Sequence, residues 1–290
     1  MEISVEQVKT LRSKTGAGMM DCKKALMESN GDFNKAIEYL RKKGSVTSQK
    51  RSDRIAKEGL IIAKTSSDRK EAVITEINCE TDFVARSGDF QSFANSLVDV
   101  ALTNGTDKLE GLFDKKLGDD ATVKQSFDSL TGKVGEKIEI KRINYYKTEG
   151  GFFSEYNHLG NKVASIVQLT GSITDKGTML GNELAMQVVA MKPIAIDRSE
   201  ISPVIIQKEK EIYITQARNE KKPENIAEKI ANNKVEKFFQ ENCLIEQEYI
   251  KEPGKSVGDF IKAISKETGM NYEVKKIVRF QLGETLESLN

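Results

Sequence analysis

The chain has 290 residues, with 45 Lys and Arg against 44 Asp and Glu, so its formal net charge is +1. This balance argues against a protein whose main work is to coat nucleic acid, because sequence-independent phosphate binding depends on clustered cations. With 38% hydrophobic and 31% charged residues, the composition is that of a globular chain that buries a sizeable core. The length favours about two domains.

Cysteine and histidine are sparse and widely spaced. The three cysteines are Cys22, Cys79 and Cys243, and the single histidine is His158. Because no CxxC or HxxxH pair occurs, we expect no metal site and no cofactor. An odd cysteine count fits a reducing compartment, and no apolar run approaches the ~18 residues of a membrane span. The first residues lack the layout of a signal or transit peptide, so we expect a cytoplasmic protein.

Residues 1–44 predict a small domain of three short helices, because apolar side chains recur there at helical spacing. Ser4 and Gln7 fit a capping box at the start of the first helix. Gly44, which follows three consecutive cations, is typical of the residue after a helix end. So small a core suits docking more than catalysis. We assign the polar, basic residues 45–58 to a linker.

The rest of the chain predicts two α+β units, 59–146 and 147–290, so the fold class is α+β. A polar pair of helices at about 199–241, broken near Pro223, predicts an inserted antiparallel hairpin of the coiled-coil type. The predicted strands are 60–63, 72–77, 138–146, 151–156, 163–169 and 274–282. The predicted helices outside the hairpin are 90–102, 121–133, 182–191 and 257–265.

The most informative stretch is Thr81-Asp82-Phe83-Val84, between a strand and a helix. In one interpretation, Thr81 or Asp82 caps the helix and Phe83 is buried. In the other, the acid and the aromatic ring are presented at the tip of a turn as a wedge for another protein. The local pattern does not choose between them.

Other candidate residues also allow two interpretations. His158 lies in a predicted turn, where a surface role and a nucleophile pair with Cys22 or Cys79 are the alternatives. Cys22 itself falls on an apolar helix face, where core packing is the default. Of Met19 and Met20, we expect one in the small core and the other exposed as a contact residue.

A further hypothesis concerns charge. Residues 1–54 carry a net charge of +5, whereas the remainder is mildly acidic. The basic residues within 41–54 therefore suggest a passive RNA-associated module, which would show salt-sensitive retention. The near-neutral charge of the whole chain argues for a protein partner instead.

Five segments together resemble bacterial translation elongation factor Ts. They are Lys14–Leu26, Asn78–Arg86, Met191–Pro193, Pro223–Ile230 and Val278–Glu284, and the first two are long and specific. The resemblance runs the length of the chain. It implies a ubiquitin-associated-like three-helix domain at the N-terminus, two core subdomains and a protruding helical hairpin.

The resemblance also implies a function, which is guanine-nucleotide exchange on elongation factor Tu during translation. GDP release would follow disturbance of the partner's Mg²⁺ and phosphate site. The residues matched to Mg²⁺ dislocation are Thr81, Asp82, Phe83, Val84 and Ala85. The residues matched to the partner interface are Arg12, Met19, Met20, Cys22, Lys23, His158 and Leu159. No catalytic residue, direct nucleic-acid contact or membrane contact is implied, and self-association through the hairpin is an open possibility.

Overall fold

The computed structural model describes residues 3–50, 53–118 and 121–284, and within them the fold is α+β, as predicted. The α-helices are α1 Val5–Thr15, α2 Met19–Glu28, α3 Phe33–Lys50, α4 Asp82–Ala85, α5 Gly88–Asn104, α6 Leu109–Phe113, α7 Val123–Val134, α8 Asp175–Met191, α9 Pro203–Asn219, α10 Glu224–Asn242 and α11 Val257–Thr268. The strands are β1 Glu58–Thr65, β2 Glu71–Cys79, β3 Ile138–Lys147, β4 Phe152–Asn157, β5 Val163–Leu169 and β6 Val274–Gln281.

Helices α1 to α3 pack around a small core of their own. Ser4 and Gln7 form the predicted capping box, in which the Ser4 hydroxyl accepts from the Gln7 N–H at 3.1 Å. Each residue thereby satisfies a backbone donor that the helix start leaves without a partner. The fully or nearly buried residues of this core are Val8, Leu11, Cys22, Ala25, Leu26 and Ala36.

The predicted end of the third helix is wrong. Helix α3 does not stop at Gly44 but continues to Lys50, into the segment assigned to a linker. Gly44 lies inside the helix, where α3 crosses α7, and a β-carbon on it would come within 2.4 Å of the Asp128 carbonyl oxygen. The glycine therefore serves a close helix crossing rather than a helix end.

Two antiparallel three-stranded sheets form the centre of the molecule. The strand orders are β1-β2-β3 and β4-β5-β6. The strands alternate their side chains between two faces, so each sheet has two surfaces to cover. Ile61 and Ile74 of the first sheet pack face to face with Phe153 and Ile166 of the second. This shared apolar layer joins the two sheets into one body.

Helices cover the outer face of each sheet. Helices α5 and α7 place Phe90, Leu97 and Phe127 on the first sheet. Helices α8 and α11 place residues such as Leu184 and Ile261 on the second. The order of layers is therefore helices, sheet, sheet, helices, with the three N-terminal helices attached through α3 to α7.

Helix α8 begins at Asp175, seven residues before the predicted start at Asn182. Gly177 and Gly181 lower the helix propensity of this first part, which hid it from the sequence pattern. Gly177 lies against the ring of Tyr272, and Gly181 lies against β4 of the sheet. A β-carbon on Gly181 would come within 2.2 Å of the Ser154 hydroxyl oxygen.

Helices α9 and α10 follow each other and make contact along their length. Lys234 of α10 donates to the side-chain oxygen of Gln216 at 2.8 Å, and its ammonium lies 5.4 Å from the ring centre of Tyr213. At the base of the pair, Arg198 forms ion pairs with Glu236 and Glu246. Throughout the part of the chain that the structure describes, no helix is both long and apolar enough to cross a membrane.

Candidate protein-docking site

The segment after β2 forms a short, capped turn of helix. Thr81 has an extended backbone and is the N-cap of α4, where its hydroxyl accepts from the Val84 N–H at 3.4 Å. Asp82, the first residue of the helix, forms an ion pair with Arg86 one turn later. An acid in the first turn also interacts favourably with the helix dipole. Local sequence therefore explains why α4 starts at this point.

A carboxylate from the end of α7 holds this turn in place. Glu136 accepts from the Thr81 N–H at 3.0 Å and from the Thr81 hydroxyl at 2.7 Å. Charge-assisted hydrogen bonds of this kind are roughly twice as strong as neutral ones. The orientation of α4 is therefore fixed by a contact that spans 55 residues of sequence.

Phe83 points away from the protein. Its side chain is 83% exposed, so the interpretation that buried it is wrong. Its neighbours are anchored instead, because Ala85 is buried and Val84 packs against the core of the first sheet. An exposed aromatic ring on an anchored turn leaves apolar area available for a partner.

The turn between β4 and β5 presents a second exposed apolar side chain. Leu159 is 93% exposed, and His158 beside it is also exposed. The turn closes with a hydrogen bond from Asn161 N–H to the His158 carbonyl at 2.8 Å, and Gly160 supplies the positive φ of 86°. The His158 Nδ1 lies 3.2 Å from the hydroxyl of Tyr156. His158 is thus a surface residue of a turn, as one of its two interpretations held.

This second turn is fixed to strand β1. The Asn157 side chain accepts from the Ala63 N–H at 2.8 Å and donates to the Ala63 carbonyl at 2.9 Å. The Ile61 N–H donates to the Asn161 carbonyl at 2.7 Å. His158 and Leu159 are therefore held beside the first sheet although they belong to the second.

The three-helix domain exposes most of the residues predicted for docking. Arg12 and Lys23 are exposed, and Met20 is 75% exposed. Met19 is 42% exposed, so the expectation that one of the two methionines joins the core is wrong. Cys22 is fully buried in that core and cannot touch a partner, which corrects its place among the interface residues.

The end of α7 connects the three-helix domain to the Phe83 turn. Lys133 lies against Gly16 of the α1–α2 turn, and it pairs with Asp89 at 2.7 Å. Glu136, three residues later, holds Thr81. One short stretch of chain therefore positions both regions that were predicted to contact a partner.

The Leu159 turn is connected to the same end of the first sheet. Lys162 donates to the Glu58 carboxylate at 2.6 Å, and Glu58 lies opposite Cys79 in the ladder between β1 and β2. Cys79 is in turn four residues before Phe83. A path of hydrogen bonds and strand pairing thus links the Phe83 turn and the Leu159 turn.

Sequence reasoning missed two residues that build this site. Glu136 and Asn157 position the turns from a distance, and nothing in their local sequence indicates their partners. Glu136 follows Gly135, whose positive φ of 73° ends α7 and turns the chain toward Thr81. That helix end was a usable signal, since it places the next polar residue outside the helix.

The thiol-enzyme hypothesis is wrong. All three cysteines are buried, and burial raises the pKa of the Cys79 thiol to about 12, with the Glu136 charge adding to the rise. Burial likewise raises the pKa of Cys22, and that of Cys243 to about 11. Because the thiolate is the nucleophile, these thiols are unreactive near neutral pH. No hydrogen bond or ring contact within the described ranges joins any of them to His158.

The site thus has exposed apolar side chains on rigid turns and protonated thiols in the core. Exposed apolar side chains on anchored turns are typical of surfaces that contact another macromolecule. A family model described as elongation factor Ts matches residues 80–284. Elongation factor Ts of Chlorobium phaeobacteroides is 45% identical over 285 residues, which cover 97% of this chain and 99% of the relative. Elongation factor Ts of Clostridium botulinum is 39% identical over 288 residues, which cover 99% of this chain and 95% of the relative.

The chain belongs to the elongation factor Ts family. Membership makes it a factor of translation elongation rather than an enzyme that makes or breaks covalent bonds. Within the described ranges, no group of three or more His, Cys, Asp or Glu side chains is arranged to hold a metal ion.

Proposed function

We propose that the protein is a guanine-nucleotide exchange factor for elongation factor Tu and promotes GDP release during translation elongation. Family membership supports the partner and the reaction. The observation that carries the mechanism is the 83% exposed ring of Phe83 on a turn that Glu136 clamps through Thr81. A wedge must be both exposed and held, and this side chain meets both conditions.

Exchange follows from linkage between two ligands of the same GTPase. An exchange factor binds the nucleotide-free GTPase more tightly than the GDP-bound form, and the factor by which it weakens GDP equals the factor by which GDP weakens it. A GTPase holds its nucleotide through backbone N–H groups and a Mg²⁺ that bridges phosphate and protein oxygens. Disturbing the Mg²⁺ removes the largest local positive charge. GDP is then held less tightly and leaves faster.

In this proposal, Phe83 enters the partner near its Mg²⁺ site, with Asp82 beside it and with Thr81, Val84 and Ala85 as the anchored frame. Burying a Phe side chain contributes roughly 1.5–3 kcal/mol. A coupling free energy between two sites is typically about 1–3 kcal/mol. Phe83 alone can therefore supply a large part of the coupling, and a broader interface supplies the rest.

The remaining contacts come from the other exposed positions. Arg12, Met19, Met20 and Lys23 dock the three-helix domain on the GTPase, where flexible Met side chains adapt to the partner's shape. The His158-Leu159 turn makes a contact from the second core subdomain. In the same proposal, residues 1–44 are the ubiquitin-associated-like domain, and 59–146 and 147–290 are the two core subdomains.

Helices α9 and α10 form the inserted hairpin of this proposal. Exposed apolar side chains such as Val204 and Ile212 make self-association through it the second interaction to test. A measurement of solution mass with and without elongation factor Tu and GDP reports partner, stoichiometry and nucleotide antagonism together.

The central test is the rate at which a fluorescent GDP analogue leaves elongation factor Tu, measured by stopped flow with the Phe83→Ala variant. We expect catalysed release to slow by about tenfold, since about 1.4 kcal/mol of lost coupling corresponds to that factor. The matched control is Met270→Ala, which also truncates an exposed apolar side chain. Met270 precedes β6 at the end of the second sheet farthest from the Leu159 turn, because Val274 pairs with Leu169 and Gln281 with Val163.

If a folded Phe83→Ala variant released the GDP analogue at the wild-type rate, the proposed wedge role of Phe83 would be wrong. Loss of exchange in both variants would point to a general defect. The RNA hypothesis predicts a different result, namely retention of RNA with a steep salt dependence and no effect on GDP release.

A further inference from the structure

Two adjoining cavities lie between the three-helix domain and α7. Their volumes are about 390 Å³ and about 350 Å³. Five residues line both of them and define what we call the head–core cleft: Lys14, Thr15, Arg41, Ser129 and Lys133. Ligand pockets in proteins are typically about 300–1,000 Å³, so each cavity is large enough for a small molecule.

Among the charged residues that line the two cavities, cations outnumber carboxylates. The charged residues that line one or both cavities are Lys14, Asp21, Arg41, Lys43, Asp89 and Lys133. Each of the two carboxylates is already paired with one of the lysines. The Lys14 ammonium and the Arg41 guanidinium, by contrast, make no ion pair or hydrogen bond to any residue in the described ranges. The cleft therefore has positive charge that the described protein does not neutralise.

Arg41 is the unusual member of this set. Its side chain is half-buried on α3, whereas the neighbouring Lys42 is exposed and paired with Glu38 at 2.8 Å. Taking a charge partly out of water costs free energy unless a counter-charge compensates. The guanidinium has a planar fork of donors that matches the oxygens of phosphate in pairs. A phosphate group is the counter-charge that this geometry fits.

Hydroxyl groups add to the site. Ser129 on α7 lines both cavities, is exposed, and makes no side-chain hydrogen bond to a described residue. Ser13 and Ser126 line the smaller cavity. Serine hydroxyls donate readily to phosphate oxygens. The cleft therefore combines neutral donors from α7 with cations from α1, α3 and α7.

We infer that the head–core cleft binds a small molecule that carries a di- or triphosphate group, with Arg41 and Lys14 as its main ligands. A small anion fits better than an RNA backbone, because the site is a cleft between two packed parts and the whole chain has a net charge of only +1. This binding needs neither elongation factor Tu nor Phe83, so it is independent of the proposed exchange activity.

The test is calorimetric titration of the full-length protein with inorganic pyrophosphate, and separately with ADP, in the absence of elongation factor Tu. We expect saturable binding of one molecule. Replacing Arg41→Gln should weaken it by at least about tenfold, the loss expected for a charge-assisted hydrogen bond. Lys14→Gln should weaken it by a smaller factor. The matched control, Lys24→Gln, removes an exposed cation of the same domain outside the cleft and should leave affinity unchanged.

A second readout tests location and guards against a folding defect. A ligand that binds only the folded state raises the melting temperature, and the rise grows as the ligand concentration exceeds the dissociation constant. Pyrophosphate should therefore raise the melting temperature of the wild type and of Lys24→Gln, and raise that of Arg41→Gln much less. Absence of saturable binding by the wild type, or equal weakening in Arg41→Gln and Lys24→Gln, would overturn the inference. Binding of a single-stranded RNA oligonucleotide without binding of pyrophosphate or ADP would overturn it in favour of RNA.

Discussion

Gly44 of α3 and Gly132 of α7 meet where the two helices cross, but only Gly44 is needed to make room for the backbone of the other helix. A β-carbon on Gly44 would lie 2.4 Å from the Asp128 carbonyl oxygen, whereas one on Gly132 would lie 3.4 Å from the Gly44 Cα. The first distance is a clash with backbone and the second is an ordinary contact. The helix crossing therefore has no room for a side chain at position 44 of α3 but has room for a methyl group at position 132 of α7.

The two glycines should respond differently to alanine. Gly44→Ala should lower the free energy of unfolding by about 1–3 kcal/mol, the usual cost of overpacking, because neither backbone can move away easily. Gly132→Ala should be neutral or slightly stabilising, since alanine is favoured over glycine within a helix by about 1 kcal/mol. Urea unfolding followed by circular dichroism measures both. Equal effects of the two variants would contradict the asymmetry of the crossing.

A second prediction concerns the clamp on the Phe83 turn. Glu136→Ala removes both hydrogen bonds to Thr81, so the amides of Thr81 and Val84 should exchange with solvent deuterium faster. The matched control is Glu139→Ala, which removes an exposed carboxylate of the adjacent strand that pairs with Lys137 at 3.4 Å. Mass spectrometry of deuterated peptides gives the result. Unchanged deuterium exchange at the Thr81 and Val84 amides of Glu136→Ala would show that the Thr81 N-cap alone holds the turn.

The third prediction tests the polar link between the sheets. Glu76 is fully buried on β2, and its carboxylate accepts from Arg142 Nε at 2.8 Å, while the guanidinium lies 3.7 Å from the ring centre of Phe280 on β6. Removing one partner of a buried pair typically costs about 3–5 kcal/mol. Arg142→Leu should therefore destabilise the protein by that amount, and adding Glu76→Leu should restore much of the loss.

Lys141→Leu is the control for this pair. Lys141 lies 3.6 Å from the same carboxylate but is partly exposed, so its loss should cost less than about 1 kcal/mol. Urea unfolding of Arg142→Leu, of Glu76→Leu alone, of the double variant, of Lys141→Leu and of the wild type completes a double-mutant comparison. If Arg142→Leu were as mild as Lys141→Leu, the buried pair would not be a major source of stability.

The fourth prediction is a loss of stability at alkaline pH. The pKa of Cys79 is raised from 9.0 to about 12 by burial, so the folded protein holds this proton more tightly than the unfolded chain does. The resulting stabilisation is complete below about pH 9 and is lost as the pH rises from about 9 toward 12. Cys79→Ala should show a shallower fall between pH 9 and 11 and the same dependence as the wild type between pH 6 and 8. If the free energy of unfolding fell equally steeply between pH 9 and 11 in Cys79→Ala and in the wild type, the prediction would be wrong.

Local sequence was sufficient to predict those strands and helices whose own residues carry a recognisable pattern. The strand predicted at 138–146 is observed at Ile138–Lys147, and that at 72–77 is observed at Glu71–Cys79. Both elements are rich in β-branched residues, such as Val73 and Ile74 in β2 and Ile138 and Ile140 in β3. The partner strand only confirms what this composition indicates.

The sequence-based predictions were wrong or undecided at positions whose surroundings are set by residues far away in the sequence. Gly44 has the local pattern of a helix end, but its role depends on Asp128, 84 residues later. The sequence left open whether Phe83 is buried, and the structure exposes it on a turn whose Thr81 is hydrogen-bonded to Glu136, 55 residues later. Tertiary packing overrides local propensity at both positions. The candidate site was therefore predicted from its motif, whereas its geometry required the fold.

The contact between Asn157 and Ala63 has an effect beyond the placement of Leu159. Strand β1 is at the edge of its sheet, and an edge strand offers its free N–H and C=O groups to any other chain in extended form. The Asn157 amide occupies both groups of Ala63, and Asn161 occupies the N–H of Ile61. The turn that presents Leu159 therefore also shields this edge, so shortening it would expose a template for aggregation.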